Sequence, residues 1–138
     1  MPPDAPEVWV TTLVPVAPAR AFAAFVDDVD LWWRPGVRYR RLPDARVRFT
    51  DRLLLEENAH TTRVIAQVTR REPPTATSPG ALHLTLDGDP VRIDFAADPA
   101  GTRVTVVQRA GRGLTAFQSP AALFWADLLG SLERATRA

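Results

Sequence analysis

The sequence has no cysteine, so disulfides, thiolate nucleophiles and cysteine metal sites are excluded. It also has no lysine, and all 17 residues of the lysine and arginine class are arginine. Schiff-base chemistry and a P-loop lysine are therefore excluded as well. Only two histidines are present, which is too few for a histidine-rich metal centre. We therefore expect no metal and no cofactor.

Strong charge and long apolar runs are also missing. The formal net charge is +1, which favours neither nucleic acid nor an anionic membrane as a partner. No apolar run approaches the length of a membrane span, and residues 1–7 lack the basic and apolar regions of a signal peptide. We expect one domain over residues 1–138, located in the cytoplasm, and the sequence leaves a homodimer open.

Alternating apolar and polar residues predict antiparallel strands along most of the chain. The clearest is Ala81–Gly88, where three leucines face one side and His83 and Thr85 face the other. Similar patterns predict strands at 7–15, 37–42, 45–50, 53–57, 62–72, 91–98 and 102–109. A loop rich in proline, serine and threonine covers residues 73–80.

Two helical regions frame these strands. Phe22, Phe25, Val26 and Val29 have the spacing of a short amphipathic helix, and Leu31–Trp33 adds a turn that Pro35-Gly36 ends. Ser119 is a candidate N-cap of a final helix that starts at Pro120. The apolar face of that helix comprises Ala121, Phe124, Trp125, Leu128, Leu129, Leu132 and Ala135, with Asp127, Ser131 and Arg134 away from it.

This order of elements predicts an α+β fold in which a curved antiparallel sheet of about six to seven strands wraps a long C-terminal helix. Ala17-Pro18, the phenylalanine pair, Trp32-Trp33 and Pro35, followed by 101–108 and 124–133, resemble the SRPBCC or START-like helix-grip superfamily. The branch of the activator of heat-shock-protein ATPase is most similar. The resemblance spans nearly the whole chain and implies a cavity between sheet and helix.

Two departures from the family pattern concern that cavity. Leu42-Pro43-Asp44 stands where many members have a double glycine, and Phe124 stands where many have a glycine before the final-helix tryptophan. We expect the bulkier Phe124 to shrink the cavity.

Candidates for catalysis are few. His60 lies in a predicted turn, His83 is expected to face solvent, and none of the three serines lies in a nucleophile elbow. Asp27, Asp28 and Asp30 are best explained as a solvated group that ends the first helix, and Asp94 is expected on the wet face of the sheet. The arginine-rich stretch 34–52 is interpreted as a solvated face, with an anionic ligand at the cavity mouth as the alternative.

Gln108 differs from these residues because it shares a face with Val104 and Val106, and on the inner face it would orient a ligand in an apolar cavity. Placement at a bulge or at an edge of the sheet is the alternative. We expect one tryptophan of the Trp32-Trp33 pair to be core and Trp33 to lie at the cavity mouth near Phe124 or Trp125, with both in the core as the alternative. The predicted cavity lining is Trp32, Trp33, Phe95, Gln108, Phe117, Phe124, Trp125 and Leu128.

The function expected from the resemblance is binding of a small hydrophobic or aromatic molecule. A polyketide cyclase or dehydratase, which would need a placed acid or base, and a co-chaperone-like interaction module are the alternatives. The residues do not decide whether the protein is an enzyme.

Overall fold

The strands and helices follow the predicted order. A computed structural model describes residues 7–33, 42–86, 88–109 and 120–137. Its elements are β1 (Glu7–Val14), α1 (Pro18–Asp27), α2 (Val29–Trp32), β2 (Arg46–Phe49), β3 (Leu53–Glu57), β4 (Thr62–Glu72), β5 (Gly80–Leu86), β6 (Asp89–Asp98), β7 (Gly101–Arg109) and α3 (Pro120–Arg137). The strand predicted at 37–42, the Pro35-Gly36 stop and the Ser119 cap lie outside the described residues, apart from Leu42.

The strands form one antiparallel sheet in the order β1-β7-β6-β5-β4-β3-β2. Six of the seven strands follow one another as hairpins from β2 to β7, and β1 pairs with β7 at one edge. The sheet is curled, with the helices on its inner side, so the predicted α+β helix-grip architecture is confirmed. Register irregularities at Leu54/Leu55 and at Val68/Arg70 interrupt the ladders of β4, and bulges of this kind bend a sheet.

Alternation separates an inner from an outer face in the paired strands. Leu82, Ile93 and Val106 lie opposite one another on β5, β6 and β7, and all three are fully buried. Their neighbours on the other face range from the exposed Arg92 through the partly buried His83 and Asp94 to the buried Val107. The inner faces of β1, β5, β6 and β7 thus build most of the core, as a period of two requires.

The hairpin between β6 and β7 requires a glycine. Gly101 has φ +141°, and a Cβ at this position would lie 2.1 Å from the carbonyl oxygen of Val14. The next residue, Thr102, donates its hydroxyl to the carbonyl of Val16 at 2.7 Å. This close approach ties the end of β1 to the hairpin and sets the point where the chain leaves the sheet for α1.

The helices cover the inner face. Phe22, Phe25, Val26 and Val29 are buried, which confirms the apolar face predicted for the first helices. Asp30 of α2 accepts the backbone N–H of Val47 at 2.9 Å and so joins α2 to β2 at the far edge of the sheet.

Helix α3 packs with its predicted apolar face inward. Leu128, Leu129 and Leu132 are buried, and Ala135 is partly buried. Ser131, which the helical pattern placed away from this face, is buried as well. It accepts a hydrogen bond from Arg134 Nη2 at 3.2 Å, which satisfies the buried hydroxyl.

Candidate functional site

An aromatic cluster joins the short helices to the final helix. It comprises Phe25 of α1, Trp32 and Trp33 at the end of α2, and Phe124 and Trp125 of α3. Ring centroids lie 4.6 Å apart for Phe25–Trp32 and 5.8 Å apart for Trp32–Trp33. Such tilted and edge-on contacts are favourable arrangements for aromatic pairs. The cluster therefore forms a continuous bridge over the inner face of the sheet.

The two adjacent tryptophans contact different parts of the molecule because α2 ends between them. Trp32 is its last residue, and Trp33 leaves the helix with φ −85° and ψ 84°. Trp32 donates its indole N–H to the carbonyl of Ala24 at 3.1 Å, whereas Trp33 packs on Phe124 and Trp125 at 5.7 and 6.1 Å. Proximity of Trp33 to the final helix is confirmed. Both indoles are fully enclosed, however, so placing Trp33 at a cavity mouth is wrong and both rings belong to the core.

Gln108 lies on the inner face, as predicted. It stands between Val8 of β1 and Val91 of β6, and only 3% of the residue is exposed. Its Oε1 accepts the indole N–H of Trp125 at 2.6 Å. A buried carboxamide of this kind needs a partner, and the tryptophan provides it across the gap between β7 and α3. The bond connects the sheet to the aromatic cluster.

The remaining predicted lining residues are placed differently. Phe95 is buried on β6 and touches Phe22 and Phe25 edge-on, at 5.2 and 5.5 Å between centroids, so Phe25 links it to the cluster. Leu128 is fully buried on α3. Phe117 lies outside the described residues.

Two surface pockets lined by described residues lie away from the space between the sheet and α3. One, of about 220 Å³, is on the outer face of the sheet and includes His83, Thr85 and Arg92. The other, of about 320 Å³, lies between the start of α1 and the β4–β5 loop and includes Pro18, Ser78 and Phe95. Within the described part of the chain, side chains fill the space between the aromatic cluster and the sheet.

One buried carboxylate was not predicted from the sequence. Glu56 of β3 is fully buried, with Oε1 2.7 Å from Arg63 Nη1 and Oε2 accepting the backbone N–H of Leu42 at 3.2 Å. Alternation could not mark it, because Leu54, Leu55 and Glu56 are all buried in succession beside a register irregularity. Its contacts make it a clamp between β3, β4 and the segment that precedes β2.

The other polar candidates lie away from the cluster. His60 is exposed in its predicted turn, and Asp94 lies on the outer face 3.5 Å from Arg92. His83 is also on the outer face but is partly buried, and this burial, with the nearby Arg70, lowers its pKa below the ordinary value. No group of three metal-ligating side chains occurs in the described ranges. Within the same ranges, no helix is both long and apolar enough to cross a bilayer.

The arginine-rich stretch is described only in part. Arg46, Arg48 and Arg52 are exposed, and Arg48 pairs with Glu57 at 2.6 Å. The arginines at 34, 38, 40 and 41 lie outside the described residues.

Solved structures show the same arrangement of a curled sheet around a final helix. A protein from Staphylococcus saprophyticus matches with a TM-score of 0.61 at 18% identity, over 95% of this chain and 91% of its own. An AHSA1-like protein from Aeromonas hydrophila matches with a TM-score of 0.59 at 16% identity, over 95% and 92% of the two chains. The chain has the SRPBCC/AHSA1-like fold.

The SRPBCC/AHSA1-like fold also occurs in DynU16, a protein of the dynemicin biosynthetic locus, with a TM-score of 0.60 at 17% identity. That match covers 99% of this chain and 48% of DynU16. No family model and no curated protein matches the sequence. At these identities the likeness shows the fold alone, and function has to be argued from the site.

Proposed function

We propose that the protein binds a small hydrophobic or aromatic molecule between the inner face of the sheet and α3. The observation that carries this proposal is the Gln108–Trp125 hydrogen bond, which sets a polar group within an aromatic cluster. Ligand sites combine mostly apolar and aromatic walls with a few placed polar groups that orient the ligand. The cluster and the carboxamide supply both.

Entry of a ligand requires a side chain to move, because the described residues fill this space. Phe124 is the best candidate. It is 6% exposed, whereas Trp32, Trp33 and Trp125 are fully enclosed. It also contacts Trp33 and Trp125, at 5.7 and 5.0 Å between centroids, so its displacement would open a space walled by two indoles. A pocket that opens only when occupied is a minor state that the ligand selects.

The test is a titration with the neutral fluorescent probe N-phenyl-1-naphthylamine, with near-ultraviolet circular dichroism to confirm that each variant is folded. The wild-type protein should bind the probe. Phe124→Ala should bind it more tightly, because the substitution vacates the volume of a phenyl ring next to Trp33 and Trp125.

Trp9→Ala is the matched control, since Trp9 is an aromatic residue that is 62% exposed on β1. Its removal should leave probe affinity unchanged. If neither the wild type nor Phe124→Ala binds the probe, the proposal fails. If Trp9→Ala abolishes binding while Phe124→Ala has no effect, the probe occupies the outer surface instead.

A cyclase-type enzyme receives less support. One similar structure belongs to a biosynthetic locus, but catalysis would need an acid or base at the site. The fully buried carboxylate of the described chain, Glu56, already has both oxygens engaged by Arg63 and the Leu42 N–H. It therefore acts as a structural group.

An interaction module also fits less well. The large exposed apolar residues among the described ranges are Trp9 and Leu13 on β1, Leu31 on α2 and Val64 on β4. They are spread over three elements, whereas docking surfaces are contiguous apolar patches.

A further inference from the structure

The orientation of the Gln108 carboxamide is determined by its partner. The indole N–H of Trp125 can only donate, so the atom that faces it at 2.6 Å has to be the carbonyl oxygen of Gln108. The two N–H donors of Nε2 therefore point away from Trp125. This assignment depends on chemistry and not on distinguishing nitrogen from oxygen by position.

The Nε2 donors have no acceptor among the described residues, although only 3% of Gln108 is exposed. Nε2 is not among the side-chain atoms of that part of the chain that are both sealed and without a partner, so with no acceptor there it remains within reach of a small molecule. A donor that lies in a mostly buried side chain and can still be reached is suited to an acceptor brought by a ligand.

The surroundings of Gln108 indicate a neutral ligand. On the inner face its neighbours are Val8 and Val91, and Val106 lies two residues earlier on the same strand. No charged side chain is paired with Gln108 across the ladders of β1, β7 and β6. The described residues paired with Gln108 across these ladders offer no cation to a carboxylate or phosphate, whereas a carbonyl or hydroxyl oxygen would be satisfied by a neutral amide.

We propose that Gln108 selects neutral aromatic molecules that carry an acceptor oxygen, which accepts from Nε2 while the ring packs on Trp125. This proposal rests on the proposed function and adds the class of ligand. The hydrogen bond to Trp125 holds the carboxamide with its N–H donors pointing away from the indole. Trp125 therefore acts both as a wall of the site and as the group that orients the donors.

A pair of probes of similar shape tests the selection. 2-Acetylnaphthalene carries a carbonyl oxygen, and 2-isopropylnaphthalene has a methyl group in place of that oxygen. Calorimetric titration of the wild-type protein should show about three- to tenfold tighter binding of the ketone, which corresponds to one neutral hydrogen bond.

Variants locate the donor. Gln108→Glu keeps an oxygen that can face Trp125 but loses the amide donors, and Gln108→Met loses both functions; each should abolish the preference for the ketone. Gln67→Glu is the matched control, because it makes the same change at an exposed position on β4 and should retain the preference.

A direct readout observes Gln108 in the wild-type protein. The sequence has four side-chain amides, those of Asn58, Gln67, Gln108 and Gln118, so the Gln108 pair can be identified in an amide nitrogen–proton spectrum by its loss in a Gln108 variant or by contacts to the Trp125 indole proton. The ketone should shift this pair, and the hydrocarbon should shift it less.

The outcomes separate the two proposals. If neither probe binds, the proposed function is overturned together with this inference. If both bind equally to the wild type, or if the preference survives in both Gln108 variants, ligand binding stands and the role of Gln108 is overturned. A preference for the ketone that requires Gln108 and moves its amide signals supports both.

Discussion

Two consecutive glutamates on β3 show how the environment of a carboxylate differs between the two faces of the sheet. Glu56 is turned inward, is fully buried and contacts Arg63 at 2.7 Å. Glu57 is turned outward and contacts Arg48 at an almost equal 2.6 Å, but its side chain is 35% exposed and that of Arg48 is 53% exposed. Distance alone would make these ion pairs equivalent.

Solvent makes them different. Water screens the outer pair and competes for its hydrogen bonds, so such pairs contribute little to stability. Inside the sheet the carboxylate has lost its hydration and depends on Arg63 and the Leu42 N–H. The same contrast separates the buried Gln108–Trp125 bond from the exposed Arg92–Asp94 pair. Polar groups on the inner face thus depend on specific partners, and those on the outer face do not.

The largest effect is expected at Glu56. Glu56→Ala should lower the free energy of unfolding by about 3–5 kcal/mol, because it empties a fully buried position and takes the acceptor away from the Leu42 N–H and from Arg63. Glu57→Ala, the neighbouring control, should stay close to the error of a urea titration. Equal losses in the two variants would show that the faces do not differ.

The next effect compares apolar side chains inside and outside. Leu128→Ala should cost about 2–5 kcal/mol, because Leu128 is fully buried between α3 and the sheet. Val64→Ala, on the outer face where Val64 is 50% exposed, should stay within about 0.5 kcal/mol. Denaturant titration measures both values. A loss below about half a kcal/mol at Leu128 would mean that α3 is not docked on the sheet.

The tryptophans allow the comparison to be measured spectroscopically. Of the four, Trp9 is 62% exposed on the outer face, and Trp32, Trp33 and Trp125 are fully buried. Acrylamide should therefore quench mainly the emission of Trp9, and Trp9→Phe should remove most of the quenchable fraction and shift the remaining emission to the blue. Strong quenching that persists in Trp9→Phe would show that the aromatic cluster is open to solvent.

The smallest effect concerns pH. Burial, assisted by Arg70 and Arg92 and opposed by Asp94 and Glu72, lowers the pKa of His83 below its ordinary 6.5. The unfolded chain then takes up a proton first as the pH falls, so stability is full above about pH 6.5 and is lost as the pH drops through the lowered pKa.

Urea titrations between pH 8 and pH 5 should therefore show a shallower loss of stability for His83→Gln than for the wild type. His60→Gln, at an exposed position, is the control and should follow the wild-type curve. Identical slopes for His83→Gln and the wild type would show that the partial burial of His83 has no energetic consequence.

Periodicity in the sequence was sufficient for the elements and for most faces. Strict alternation in Val91, Ile93 and Phe95 predicted an inward row, and the spacing of Leu128 and Leu132 predicted the docked face of α3. Both predictions follow from local geometry, because a period of two or of 3.6 places side chains on one side whatever surrounds them. The same pattern placed Gln108 on one face with Val104 and Val106, but it determined neither that this face is the inner one nor which residue is the partner of Gln108.

What periodicity does not contain is the depth of burial and the identity of distant partners. Glu56 is buried where a register irregularity, Arg63 and the Leu42 N–H meet at β3, and Ser131 is buried with its hydroxyl bonded to Arg134. Trp33 is enclosed by rings about ninety residues away on α3. The sequence by itself determined the order of elements and the side to which each residue points, since these depend on neighbours along the chain. Only the tertiary structure determined which polar groups are buried and which acceptor binds the Trp125 indole N–H. Burial and partner choice depend on elements that are far apart in the sequence and that packing brings together.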